Sequence, residues 1–166
     1  MAKKAEQQLS EDELASISVR CLTLGIHGAD LLLPNTLVAE VTEVASIEPA
    51  ASSPDWLKGF VSWRGRNVPL VSFEPLIGLV PAEGHDEIRM VVLNTLNGNP
   101  KIPFIAMEIH GLPRPSSLRN DMLQYDESEK QEEPVVLSRM RAEGESVLIP
   151  NLDAIERMLD NLGVSV

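Results

Sequence analysis

Apolar and polar positions along this chain follow two periods. From Ser18 the period is two: "SVRCLTL", "ADLLLP" and "IRMVVLNTL" are short β-branched or leucine-rich runs bounded by turn residues, which predicts strands. Gly25-Ile26-His27-Gly28 would turn the first run into the second. Asn97-Gly98-Asn99-Pro100 would turn the third into "IPFIAMEI". Leu37, Val38 and Val41 recur at helical offsets, yet "VAEVTEV" also alternates as a strand, and both readings stay open. A period of 3.6 dominates only near the C-terminus. In "PNLDAIERMLDNLG", Leu152, Ile155, Leu159 and Leu162 share one face, with Asn151 placed as N-cap and Gly163 just past the C-cap. A helix is expected over 151–162.

Three stretches lack either period. Residues 1–15 are polar and charged and read as an N-terminal tail. Ser10 and Glu13 have capping-box spacing, so the tail either holds a short helical turn or frays. Residues 45–55 carry two prolines and three serines and read as an irregular connection. Residues 120–134 hold six acidic residues against one lysine, which predicts a mobile excursion after the apolar pair Met122-Leu123.

An internal repeat ties the strand runs together. "RGRNVPLVSFEPLI" (64–77) and "EGESVLIPNLDAIE" (143–156) align without a gap at an offset of 79. Gly65 matches Gly144, Val68 matches Val147, Leu70 matches Ile149, Phe73 matches Leu152 and Glu74 matches Asp153. Each copy is a tight turn, an apolar strand and an acidic residue opening a helical turn. Two copies of one small β unit suggest two similar β-barrels rather than one sandwich.

Composition narrows the function classes. A chain of 166 residues suits one domain or two small subdomains sharing a core. The net charge of −11 argues against nucleic acid or an anionic membrane as partner. Cys21 is the sole cysteine, so no internal disulfide is possible; it reads as a small core residue rather than a reactive thiol. No run approaches the length of a membrane span, and the start has no signal-peptide core. A cytoplasmic protein without membrane insertion is expected. Within this acidic chain, Lys58, Arg64 and Arg66 are the only Lys or Arg between Leu31 and Ile88, among eight acidic residues. They surround an expected hairpin.

Catalytic and metal-binding signatures are missing. His27, His85 and His110 are isolated, no histidine or cysteine stands at ligand spacing, and phosphate-loop, dinucleotide and nucleophile-elbow motifs are absent. No metal or cofactor is expected. A carboxylate-dependent small hydrolase or phosphatase would need convergent carboxylates in a cleft. An SH3-like peptide-binding module would usually line its groove with aromatics, and this chain has only six.

The run "LPNTLVAEVTEVASIEPAASSPDWLKGFVSWRGRNVPLVSFEPLIGL" resembles the CheW family of bacterial chemotaxis coupling proteins and the CheW-like domain of CheA-type histidine kinases. The resemblance lies in Pro34, Val38, Glu40, Val41, Ile47, Pro49, Pro54, Gly59, Arg64, Gly65, Pro69, Leu70 and Val71. Ser72 stands where the family usually has Asp, and Trp63 where it usually has Leu. The resemblance implies a mainly β fold of two five-stranded SH3-like barrels with a short C-terminal helix. The CheW-like domain would span 16–166, with barrels at roughly 30–88 and 89–150 and the 18–24 strand shared or added. It also implies a non-enzymatic adaptor between the cytoplasmic tips of methyl-accepting chemoreceptors and the regulatory domain of a CheA-type kinase. Such a protein would gather at receptor arrays, here in an accessory or pilus-type chemosensory system. On that reading Val38, Glu40, Lys58, Arg64 and Arg66 form the partner-binding set, with Arg64 docking the receptor beside Glu40. Gly59, Gly65 and Pro69 shape the hairpin.

Overall fold

A complete capping box opens the visible chain of the computed structural model, which describes residues 10–81, 88–127 and 133–166. The Glu13 carboxylate accepts from the Ser10 amide (2.8 Å) and hydroxyl (2.9 Å), and Ser10 Oγ accepts from the Glu13 amide (3.2 Å). Helix α1 (Glu11–Ser16) follows. Strands β1 (Ser18–Ile26) and β2 (Ala29–Pro34) then form an antiparallel hairpin. After a 3-10 turn come β3 (Val38–Glu43), β4 (Ile47–Glu48), β5 (Leu57–Trp63) and β6 (Arg66–Val71). A second 3-10 turn (Glu74–Ile77) precedes β7 (Ile88–Asn94) and β8 (Phe104–Arg119). A third leads to β9 (Leu123–Tyr125), β10 (Val136–Ala142), β11 (Glu145–Pro150) and helix α2 (Leu152–Asn161).

Tertiary pairing resolves the segment that the sequence left open. Residues 38–43 are a strand because β7 supplies antiparallel partners from Val38↔Leu93 to Glu43↔Arg89. Helix α2 has both caps. Asn151 accepts from the Ala154 amide at 3.2 Å, and Val164 N–H to Leu159 O (3.1 Å) with Gly163 N–H to Asp160 O (2.9 Å) makes a Schellman ending.

The repeat is structural. β5–β6 and β10–β11 are hairpins whose two-residue turns have positive φ at both positions: Arg64 48° and Gly65 75°, Glu143 51° and Gly144 87°. That is the backbone of a type I′ turn, which matches strand twist. Equivalent positions build equivalent interiors. Val61, Trp63, Val68 and Leu70 pack in one apolar cluster, and Met140, Ala142, Val147 and Ile149 in another. A third and larger cluster lies between them, with Leu24, Leu31, Phe73, Ile105 and Ile109 among its members, sealed by Leu152, Ile155 and Leu159 of α2.

The division at 30–88 and 89–150 needs correction. β3 pairs with β7, β7 with the first part of β8, and β6 with β8 through Leu70↔Ala106 and Val71↔Met107. These strands, with β5 and β4, surround the first interior, so the first barrel takes chain well beyond residue 88. β1 and β2 belong to the second group, in the order β8-β1-β2-β11-β10-β9. The two groups are one hydrogen-bonded network because β8 serves both. His110 marks the crossing, paired with Ile88 of β7 and with Gly25 of β1. β8 runs ten residues past "IPFIAMEI", through Gly111, Pro113 and Pro115. Its far half pairs only with β1, and the two prolines, two residues apart, lack amides on the same edge. The other edge keeps its hydrogen bonds.

Two further expectations change. Glu133, within the acidic stretch, is tied to Arg139 at 2.7 Å, and β9 occupies 123–125. Strand pairing and an ion pair thus order both flanks; residues 128–132 lie outside the described residues. The 45–55 connection holds the short strand β4, paired at Ile47↔Val61.

Buried carboxylates join the barrels in both directions. Glu74, just after the first repeated hairpin and 1% exposed, accepts the His27 amide (3.0 Å) from the β1–β2 turn and the Ser72 hydroxyl (2.7 Å). Glu156 on α2, after the second hairpin and equally buried, accepts the Leu96 (2.6 Å) and Asn97 (3.1 Å) amides of the β7–β8 connection. Each repeat unit therefore clasps a turn belonging to the other barrel.

Candidate partner-binding site

The tip of the β5–β6 hairpin carries an organised cluster of polar and aromatic side chains. A positive φ at Arg64 turns the chain so that Trp63 and Arg66 face each other across the hairpin. Trp63 is 8% exposed and closes one end of the first interior, meeting Phe104 edge-on with centroids 5.0 Å apart at 64°. Its indole N–H reaches Glu40 Oε2 at 2.9 Å. The same oxygen accepts the Arg64 Nε–H at 3.0 Å, and Arg64 Nη2 lies 2.9 Å from it in the ion pair. The Arg64 guanidinium carbon sits 5.0 Å from the Trp63 ring centroid, and that of Arg66 sits 6.0 Å from Phe104.

Burial grades from floor to rim. The Glu40 side chain is 35% exposed and that of Arg64 68%. The result is an aromatic floor, a half-buried carboxylate above it, and a guanidinium displayed to solvent. Val38 begins β3, two residues before Glu40, half-buried against the central core.

Lys58 lies elsewhere. It is five residues from Trp63 along β5, about 17 Å of extended chain, and its charge acts on Glu108 of β8. Burial pushes the Glu108 carboxyl above its ordinary value, while Lys58 pulls it down, Glu74 raises it and His110 lowers it. The basic residues gathered in sequence are therefore split in space, with Arg64 and Arg66 at the tip and Lys58 away from it.

The remaining motif residues take backbone roles. Gly59 has φ +138°, beside a register shift in β5, and a Cβ there would run into the Glu48 carbonyl. Gly65 is in the turn with open space around it. Pro69 pairs with Phe60, one residue before pairing with β8 begins, so its missing amide is not needed on that side. Ser72 is buried and donates to Glu74.

Sequence reasoning passed over Trp63 and Phe104 as site residues. The available signal was scarcity: two of the six aromatics meet at one surface.

A second surface is apolar. Ile17, just before β1, and Val19 on β1 are exposed and, with Cys21, Leu32, Pro34, Leu118, Leu123 and Ile149, line a groove of about 440 Å³ that opens onto the second interior. Ala142 there occupies the position of Trp63 in the first barrel, so the second interior has no aromatic at that place. Burial pushes the Cys21 thiol up, away from the reactive thiolate. Among the described residues, no three His, Cys, Asp or Glu converge as metal ligands, and no helix is long and apolar enough to cross a membrane.

Two β-barrels joined through β8, with an arginine-tipped hairpin on one and an apolar groove on the other, make up the domain. The family model of the CheW-like domain matches residues 20–159, and the chain belongs to that family. The crystal structure of the scaffolding protein TtCheW from Thermoanaerobacter tengcongensis has the same fold. Its TM-score is 0.69 at 12% identity, covering 82% of this chain and 90% of that one. A search of curated proteins returns no match. As a member of that family, the protein is a non-enzymatic scaffold of the chemotaxis type.

Proposed function

We propose that this scaffold couples chemoreceptors to a CheA-type histidine kinase, with Arg64 as its receptor-docking group and its place at membrane-bound receptor arrays. The observation that carries the reading is the guanidinium itself. It is mostly exposed, held along one edge by Glu40 and backed by Trp63, in a chain of net charge −11. Such an arrangement contributes little to stability, because an exposed ion pair is typically worth about 1 kcal/mol or less. It suits recognition, because a planar fork meets a carboxylate with defined geometry. Arg66 adds a second cation, and the apolar groove on the other barrel offers a separate surface for the kinase's regulatory domain.

The test is affinity and melting measured on the same preparations. Arg64→Ala should melt nearly as the parent does and bind a purified receptor cytoplasmic fragment from the same genome at least about tenfold more weakly. Arg64→Lys should recover part of that loss. A folded Arg64→Ala protein with undiminished receptor affinity would overturn the assignment.

A further inference from the structure

We propose that Trp63 is the positioning residue of the docking site, acting through Glu40 to hold Arg64 for a carboxylate on the partner. The inference rests on the docking role of Arg64 and adds the element that gives the arginine its orientation.

Rigidity is graded along three side chains. Trp63 is buried and wedged against Phe104, so its indole N–H has a fixed direction. That N–H and two nitrogens of Arg64 all converge on Glu40 Oε2. Two hydrogen bonds and an ion-pair contact on one oxygen define where the carboxylate lies, and of the two side chains that make them only Trp63 is anchored in the core. Arg64 cannot anchor itself, being exposed at a positive-φ turn position on a long, rotamer-rich stem. Through Glu40 the indole fixes the Nε edge, and its ring backs the guanidinium from 5.0 Å away. Nη1 then remains for a partner's acceptor, and Glu40 Oε1 for a partner's donor; neither has a hydrogen bond among the described residues. An arginine oriented in advance loses less conformational freedom on binding. The complementary partner presents a carboxylate to Arg64, with a donor placed beside it for Glu40.

The test is a double-mutant cycle in affinity for a receptor cytoplasmic fragment, with Trp63→Phe and Arg64→Ala alone and combined. Phenylalanine keeps an aromatic ring against Phe104 and removes only the N–H donor and part of the ring area. Trp63→Phe should weaken binding about fivefold, as expected for losing one hydrogen bond to a charged group at a half-exposed site. In the Arg64→Ala background the same change should cost less than about twofold, because the indole acts only through the arginine. The indole N–H resonance of Trp63 should also move on Glu40→Gln. Fully additive losses would overturn the inference, because Trp63 would then act on its own or through the fold. So would an unchanged affinity of Trp63→Phe where Arg64→Ala binds weakly, and in both of those cases the docking role stands. Normal binding by folded Arg64→Ala removes the docking role and the inference together.

Discussion

Glu156→Ala is the substitution whose cost can be worked most directly from the structure. The carboxylate is 1% exposed and accepts two backbone amides, from Leu96 at 2.6 Å and Asn97 at 3.1 Å. Hydrogen bonds to a charged group contribute about 1.5–3 kcal/mol each. Leu96 and Asn97 are exposed residues, so water can reach their amides once the carboxylate is gone, which favours the lower end. The expected loss is about 2–4 kcal/mol. A domain of this size shifts about 2–4 °C per kcal/mol, so Tm should fall by about 5–15 °C. Glu156→Gln, which keeps one acceptor oxygen and turns a donor toward the other amide, should fall between. Urea unfolding should show a lower midpoint at unchanged slope, with hydrogen exchange accelerated at Leu96 and Asn97. If Glu156→Ala cost no more than Glu43→Ala on an exposed strand position, the clasp would have no energetic role.

Two other outcomes follow from the same kind of accounting. Glu40→Ala should destabilise by about 1–3 kcal/mol, because it orphans the nearly buried Trp63 N–H, whereas Arg64→Ala should cost less than about 1 kcal/mol; equal losses in paired melts would contradict this. Glu108 supplies a pH prediction, since burial raises its folded carboxyl above the ordinary value of 4.5. The unfolded chain releases that proton first, so this group's stability contribution is full below the unfolded value and is lost as pH rises through the folded one. Glu108→Gln, which does not ionise, should gain on the parent as pH rises from below the ordinary carboxyl value of 4.5 through the higher folded one, and a difference independent of pH would count against the assignment.

How much of this was legible beforehand depends on the range of the forces involved. The two hairpins could be found because Gly65 and Gly144 record a local need for positive φ, and α2 because its caps and apolar face are local too. β8 was cut short because Gly111, Pro113 and Pro115 ordinarily break strands; they are tolerated because that half of β8 has a single neighbour, β1. The barrel division failed for a related reason: β2 finds β11, and β7 finds β3, across long stretches of sequence. At the site, linear proximity grouped Lys58 with Arg64, but an extended strand separates residues at about 3.4 Å each. The contact of Trp63 with Phe104, 41 positions away, depends on barrel closure and left no local pattern.

The parallel contact of Leu31 with Leu148 bears on how the chain is made. β1 and β2 leave the ribosome before the other strands and can form their hairpin at once. Their neighbours in the finished sheet, β8 and β11, are synthesised much later. Until then an apolar strand, "ADLLLP", has an open edge, and long-range pairing of this kind slows folding. Neither barrel can be completed as an autonomous first half, since the first awaits β8 and the second awaits β11. Nascent chains must therefore be carried through the second hairpin before any adaptor exists, and a chain stopped short of it would offer a sticky edge in place of half a scaffold.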